Sequence, residues 1–345
     1  MRRLLALVAL ALGACGGAPP VPGPPPGPPA RLGPDAREVV FTGMCDASAV
    51  VPLGADRFVV ADDEDNVLRV YDADRGGAPL AQVDVSAALG LIVGKRKHPR
   101  ELESDIEAGA RLGERAFWLT SHGRDKKARP RPERFRFFAT SVEGDDLRVL
   151  GAPYTHLLDD LLAAPELARF GLAAAAEKAP KDRGGLNVEG LTATPEGTLL
   201  IGFRNPLPEG RALVVPLENA AALTEPGGGP ARFGRPALVD LGGRGVRSLG
   251  YWHGTYLIAG GDRAGRDDSK LYTWSGAADA PAVEIVDLAG YNPEAFFAPA
   301  ERAQILVVSD DGTRGVDGVA CKDLKDRSRK RFRGVWIDVP LPGAP

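Results

Sequence analysis

Cysteine, histidine, methionine and the aromatics are all scarce in this chain: three Cys, four His and two Met, with Phe, Tyr and Trp together only 6% of 345 residues. So few Cys and such dispersed His exclude a Cys/His zinc module, whose ligands come in closely spaced pairs. No Cys-x-x-Cys, His-Glu-x-x-His, Gly-x-Ser-x-Gly or phosphate-loop pattern occurs. A surplus of positive charge is missing too, since 43 basic residues face 46 acidic ones for a formal net of −3. Nucleic acid is therefore not an expected partner. What abounds is Gly (43) and Pro (30), fifteen of them within the first 34 residues. In the remainder they make up nearly a fifth of the chain, against roughly 12% in average proteins. That density argues against a helical bundle and for many short strands and turns.

The N-terminus carries an export signal. Arg2 and Arg3 precede an apolar run over residues 4–12, too short for the roughly 20 residues that cross a bilayer. Leu12-Gly13-Ala14-Cys15 resembles a lipoprotein cleavage box, so residues 1–14 are expected to leave and Cys15 to carry a lipid. An ordinary secretory signal is the alternative. Residues 15–34 then form a Pro/Gly-rich tether unable to build a core, and residues 35–345 a single domain. The expected address is an exported, membrane-anchored lipoprotein at the outer membrane or cell surface, and Gly16 in place of Asp after the lipid-bearing Cys favours the outer membrane. Once Cys15 is lipidated, only Cys45 and Cys321 remain. An oxidising compartment permits a disulfide between them; two separate buried thiols are the alternative.

Internal similarity is the main structural signal. Five segments share a layout of polar residue, second polar residue two positions on, apolar strand, turn, second apolar strand and polar cluster. They begin at Asp46, Asp105, Asn187, Arg247 and Asn292, and their second strands end at Asp62-Asp63, Ser121-His122, Phe203-Arg204, Gly261-Asp262 and Ser309-Asp310. Further strands are expected over 67–71 and 81–85, 134–140 and 146–150, 211–217 and 237–241, and 270–274 and 282–288. Each unit reads as a four-stranded blade. The last unit has strands over 303–309 and 332–339 but no fourth, and a spare strand over 38–42 precedes the first unit. The fold class is thus all-β, a β-propeller of five blades (six as the alternative) closed by the N-terminal strand. Cys45 and Cys321 would clasp that closure. Residues 155–178 break the pattern with helical spacing of Leu157, Leu158, Leu161 and Leu162, and read as a short helical insert packed on the propeller.

In such meanders the start of the first strand and the end of the second share one rim. Asp46, Asp105, Glu107, Asn187, Glu189, Arg247 and Glu294 are expected there, beside Asp62, Asp63, His122, Arg124, Arg204, Asn205, Asp262 and Asp310. Converging carboxylates suit a hard cation, and Asp46, Asp105, Glu107, Glu189 and Glu294 are the candidate ligands for Ca²⁺ or another divalent ion. Basic loops over 124–136 and 322–333 suit a small anion. Turn capping and mutual neutralisation of these polar residues are the alternative reading.

Gly43-Met44-Cys45-Asp46-Ala47-Ser48, Ala61-Asp62-Asp63-Glu64-Asp65-Asn66, Thr120-Ser121-His122-Gly123-Arg124, Leu186-Asn187-Val188-Glu189-Gly190-Leu191 and Gly202-Phe203-Arg204-Asn205-Pro206 resemble the bacterial family catalogued as domain of unknown function 3616. The resemblance covers roughly residues 40–338 and implies a β-propeller-like domain without assigned catalytic residues. A more distant similarity, carried by Asn187-Val188-Glu189-Gly190-Leu191, is to the phytase-like esterase propellers, and implies divalent-cation phosphoesterase chemistry. Two functions follow as expectations. The first is a lipid-anchored, monomeric propeller that binds a small anionic ligand or an envelope protein partner at its rim. The second is a metal-dependent ester or phosphoester hydrolase, with Arg124 and Arg204 holding the anion.

Overall fold

The computed structural model describes residues 30–32, 36–144, 146–263, 265 and 268–340. The expected signal peptide and Cys15 lie outside them. Five sheets surround a central channel, four of them four-stranded and antiparallel and the fourth blade's extended to five strands by a short parallel outer strand, and each is built from one of the five units read from the sequence. The innermost strands are Ala47–Pro52, Ile106–Leu112, Asn187–Ala193, Gly245–Trp252 and Pro293–Phe297. Blades one to four run outward as simple meanders.

Blade five is completed from the other end of the chain. Its order is Pro293–Phe297, Gln304–Ser309, Arg331–Asp338 and then the N-terminal strand Glu38–Thr42. Glu38 pairs with Val335 and Thr42 with Arg331, which removes an exposed sheet edge. Aromatic packing reinforces the seam, for Phe41 stacks on Phe332 at 4.9 Å and meets Phe58 and Tyr71 edge-on at 5.4 Å. Such pairs contribute about 0.5–1.5 kcal/mol each beyond their buried area. The Cys45–Cys321 disulfide closes the same seam across 276 residues.

Several boundaries differ from expectation. The third strand of blade two begins at Phe137, after a 3₁₀ turn at Pro132–Arg134; prolines at 130 and 132 supply no ladder donors. Its fourth strand is Val149–Tyr154, displaced from the expected 146–150. Strand pairing also starts before residue 35, since Ala30–Arg31 adds a short parallel strand to Val283–Asp287. A hairpin of Ile92–Lys95 and His98–Glu101 between blades one and two had no apolar alternation to announce it. The insert is two helices, Leu157–Ala163 and Leu172–Ala176, bracketing a 3₁₀ turn at Pro165–Phe170. Leu157, Leu161, Leu167 and Phe170 pack into the core shared with Phe117, Phe203 and Leu213 of blades two and three. None of the described helices is long and apolar enough to cross a membrane.

Candidate functional site

The same irregularity recurs in all five innermost strands. Between Ala47 and Ala49, Ile106 and Ala108, Val188 and Gly190, Val246 and Ser248, and Pro293 and Ala295 the inner strand advances two residues while its neighbour advances one. A β-bulge of this kind re-aims the extra residue. Those five residues are Ser48, Glu107, Glu189, Arg247 and Glu294, a ring of one per blade across the channel. In four of the repeats the sequence had registered this residue as the second polar one; in the fourth, Arg247 was read as the repeat's start.

Two ring carboxylates are neutralised by arginines, one of them in the ring itself. Arg204 donates to Glu189 at 2.6 Å, as does Asn187 Nδ2, and Arg204 also bonds the Asp262 carbonyl at 3.0 Å. Arg247 pairs with Glu294, while Gly261 leaves room for the Arg247 stem, since a Cβ there would lie 2.3 Å from its Cδ. Burial, then the positive charge of Arg204, lowers Arg247 to about 10. Glu189 and Glu294, expected as metal ligands, are thus held by arginines.

Above the ring, on the rim where the first strands begin, the remaining carboxylates gather. Oxygens of Asp46, Asp62 and Asp63 lie within 4.8 Å of one another, as do those of Asp63, Asp105 and Glu107. Asp63 belongs to both groups, which makes one acidic cluster spanning blades one and two. Burial is the first cause of raised carboxyl pKa values throughout it. Asp46 is pushed up to about 7 by burial with Asp310 and Glu64. Asp63 is held well above its usual range by burial with Glu107, Asp105 and Asp310, and Glu107 by burial with Asp105 and Glu189. Asp62 is raised as well, by burial with Asp65 and Asp46. Asp46 Oδ2 and Asp63 Oδ1 are buried without a hydrogen-bond partner. Gly312 backs this cluster so closely that a Cβ would fall 1.6 Å from Asp46 Oδ1.

Other expected residues occupy the rim in different roles. Asp310 accepts from Gly312 N and Asn292 Nδ2. His122 sits in a left-handed conformation with φ of 54°, its Nδ1 2.7 Å from the Thr120 carbonyl oxygen and its ring stacked on Phe135. Burial lowers it to about 4, so it is neutral at pH 7. Arg124 donates to the Ala176 carbonyl and to Glu177, and Asn205 to the carbonyls of Pro180 and Asp182. Both hold the helical insert and its exit loop in place.

The basic loops are largely neutralised by local partners: Arg129 by Asp125, Arg131 by Glu133, Arg327 by Asp65, Arg329 by Asp317 and Arg333 by Asp311. One arginine not chosen from sequence reaches the cluster. Arg134 bonds Asp105 at 2.7 Å and also Glu103, and its Nε is buried without a partner. Its membership of a basic loop gave no separate signal.

A family model described as "Protein of unknown function (DUF3616)" matches residues 142–301, from blade two into blade five. The resemblance read from the sequence is thereby shown, over a shorter stretch than 40–338. None of the curated proteins matches the chain. Similar solved structures include the PQQ-bound aldose sugar dehydrogenase of Streptomyces coelicolor, 15% identical with a TM-score of 0.41 over 89% of this chain and 100% of that one. Glutaminyl cyclase of Myxococcus xanthus is 12% identical with a TM-score of 0.46, over 91% of this chain and 100% of its own. The propeller architecture itself rests on the strand topology.

Proposed function

We propose that this chain is an exported, lipid-anchored propeller that binds a divalent cation of the Ca²⁺ type through Asp46, Asp62, Asp63, Asp105 and Glu107, and through it a small anionic ligand. The observation that carries the reading is the Asp63 carboxylate, shared by two groups of converging oxygens, with Oδ1 buried and unpartnered. Ionised carboxylates at such spacing oppose one another, and a hard cation with six to eight oxygen ligands would relieve them. Arg134, beside Asp105 with a spare donor, suits an anion at the same place. The N-terminal lipoprotein box supports the anchor, and the Cys45–Cys321 bond fits an oxidising compartment.

Calorimetric titration of the purified chain with CaCl₂ after EDTA treatment tests the cation. Binding is expected for the wild type, with about tenfold or greater loss in Asp63→Asn, which removes a ligand charge. No heat in the wild type, or equal affinity in the variant, would refute it. Hydrolysis of phosphate or carboxylate esters is the second reading, favoured by the spare Arg134 donor and by the distant phytase-like resemblance. EDTA-sensitive turnover on an ester panel would establish it; binding without turnover leaves the first reading.

A further inference from the structure

The channel has a second chamber on the other side of the charged ring. It is a cavity of about 460 Å³ that opens between the turns joining first and second strands, at Pro52, Gly113, Pro195 and Glu301, opposite the acidic rim. That size lies within the ordinary range for small-molecule sites. Its floor carries the ring carboxylates of Glu107, Glu189 and Glu294, and its walls include Leu191, Leu249 and Phe296, one layer along the same strands. The two-residue period of a strand explains the layering.

Hydrogen bonding on that floor is incomplete. Glu189 is only 3% exposed, and while its Oε1 accepts from Arg204 and Asn187, its Oε2 is buried with no partner. A buried carboxylate oxygen left without a donor is costly. The side chains of Glu107, Glu189 and Glu294 line the floor, while Arg204 and Arg247, each already paired, do not. An anion is disfavoured there. The walls of Leu191, Leu249 and Phe296 suit an apolar body better than a hydrated metal ion. Tyr251, 38% exposed, adds an aromatic ring to the cavity lining, and aromatic faces attract organic cations.

We infer that this chamber is a binding site for a small organic cation, an ammonium group with an apolar body, whose N–H donors meet Glu189 Oε2 and whose body lies against Leu191, Leu249 and Phe296. The site is separate from the divalent-cation cluster, with Glu107 as the shared partition.

Titration of the purified chain with n-hexylammonium, 1-hexanol and hexanoate tests the inference. Hexylammonium should bind, with hexanol about tenfold or more weaker, since it lacks the charge-assisted bond, and hexanoate not at all. Glu189→Gln should weaken hexylammonium by about tenfold. Because that change also touches the Arg204 pair, Tyr251→Ala at a half-exposed position provides a second variant, with a several-fold loss expected. Asp63→Asn should bind hexylammonium like the wild type even as it loses Ca²⁺. Equal binding of hexanol and hexylammonium, no binding of hexylammonium, or unchanged affinity in Tyr251→Ala would overturn the assignment. Loss of hexylammonium binding in Asp63→Asn would overturn the separation of the two sites.

Discussion

Replacing Asp46 by Asn should move stability in opposite directions with and without a divalent cation. Asp46 is 5% exposed and its Oδ2 has no partner. Without a cation, burial together with Asp310 and Glu64 raises its pKa from 3.8 to about 7. A group raised in the folded state contributes stability that is fully present below its unfolded value and is lost as pH rises through the folded one. The window therefore runs from 3.8 to about 7. Asn stays neutral across it and keeps what the wild type loses. At about 1.4 kcal/mol per tenfold the interval is worth about 4 kcal/mol at pH 8; water at the rim screens part of this, and about 2 kcal/mol is the expected gain. At roughly 2–4 °C per kcal/mol for a large domain, the variant should melt about 5 °C higher in EDTA at pH 8, with the difference nearly gone at pH 4. In CaCl₂ the order reverses. A ligand at a hundred times its Kd stabilises the wild type by about 2.7 kcal/mol, and the variant, lacking one ligand charge, gains little. Scanning calorimetry at pH 4, 6 and 8, in EDTA and in CaCl₂, reads all of this. A variant less stable than wild type in EDTA at pH 8, or an equal gain from CaCl₂ in both proteins, would refute the reasoning.

His122 acts in the opposite sense. Burial depresses it from 6.5 to about 4, so its stabilisation is present above pH 6.5 and lost as pH falls through about 4. His122→Asn, which suits the left-handed backbone at φ 54°, should lose about 3 kcal/mol less than wild type over that fall; parallel urea-denaturation profiles would argue against a neutral buried imidazole. Reducing Cys45–Cys321, or replacing both by Ser, frees a seam that closes across 276 residues and should cost about 5 kcal/mol in the chain-entropy model. Asp46 follows Cys45 directly, and the Cys45 carbonyl accepts from Asp311 N, so Ca²⁺ affinity should fall with it. Unchanged melting and calcium titrations after reduction would separate the cluster from the seam.

Much of the fold was legible because its causes are local along the chain. Each blade needs apolar strands interrupted by residues that turn easily, and the near-constant distance from the first strand's start to the second strand's end recorded this five times. The missing strand of the last unit and the spare strand before the first pointed to the same closure, and Phe41 on Phe332 shows the packing that holds it. Blade two was read less well. Pro132 cannot donate to a ladder, and the chain makes a 3₁₀ turn where a strand was expected. The Ile92–Lys95 hairpin is largely exposed and carries no alternation to read.

The site divides along the same line. That Asp46, Asp105, Glu107, Glu189, Arg247 and Glu294 share one end of the inner strands followed from repeat spacing and strand direction. Which of these carboxylates keep their charge free, and which meet a guanidinium, depended on Arg204 approaching Glu189 and Arg247 reaching across blades to Glu294. Asp62 and Asp63 joined the cluster in the same way, from the second strand of blade one and the turn that follows it. The ring above the chamber forms because a bulge in each inner strand re-aims one residue per blade. Strand pattern is a property of neighbours in sequence, so the chain by itself determined the blades and their polar rim. Electrostatic pairing falls off within a few ångströms of through-space distance, so only the assembled propeller decided where carboxylates converge, where an arginine satisfies a carboxylate, and where an oxygen is left waiting for a donor.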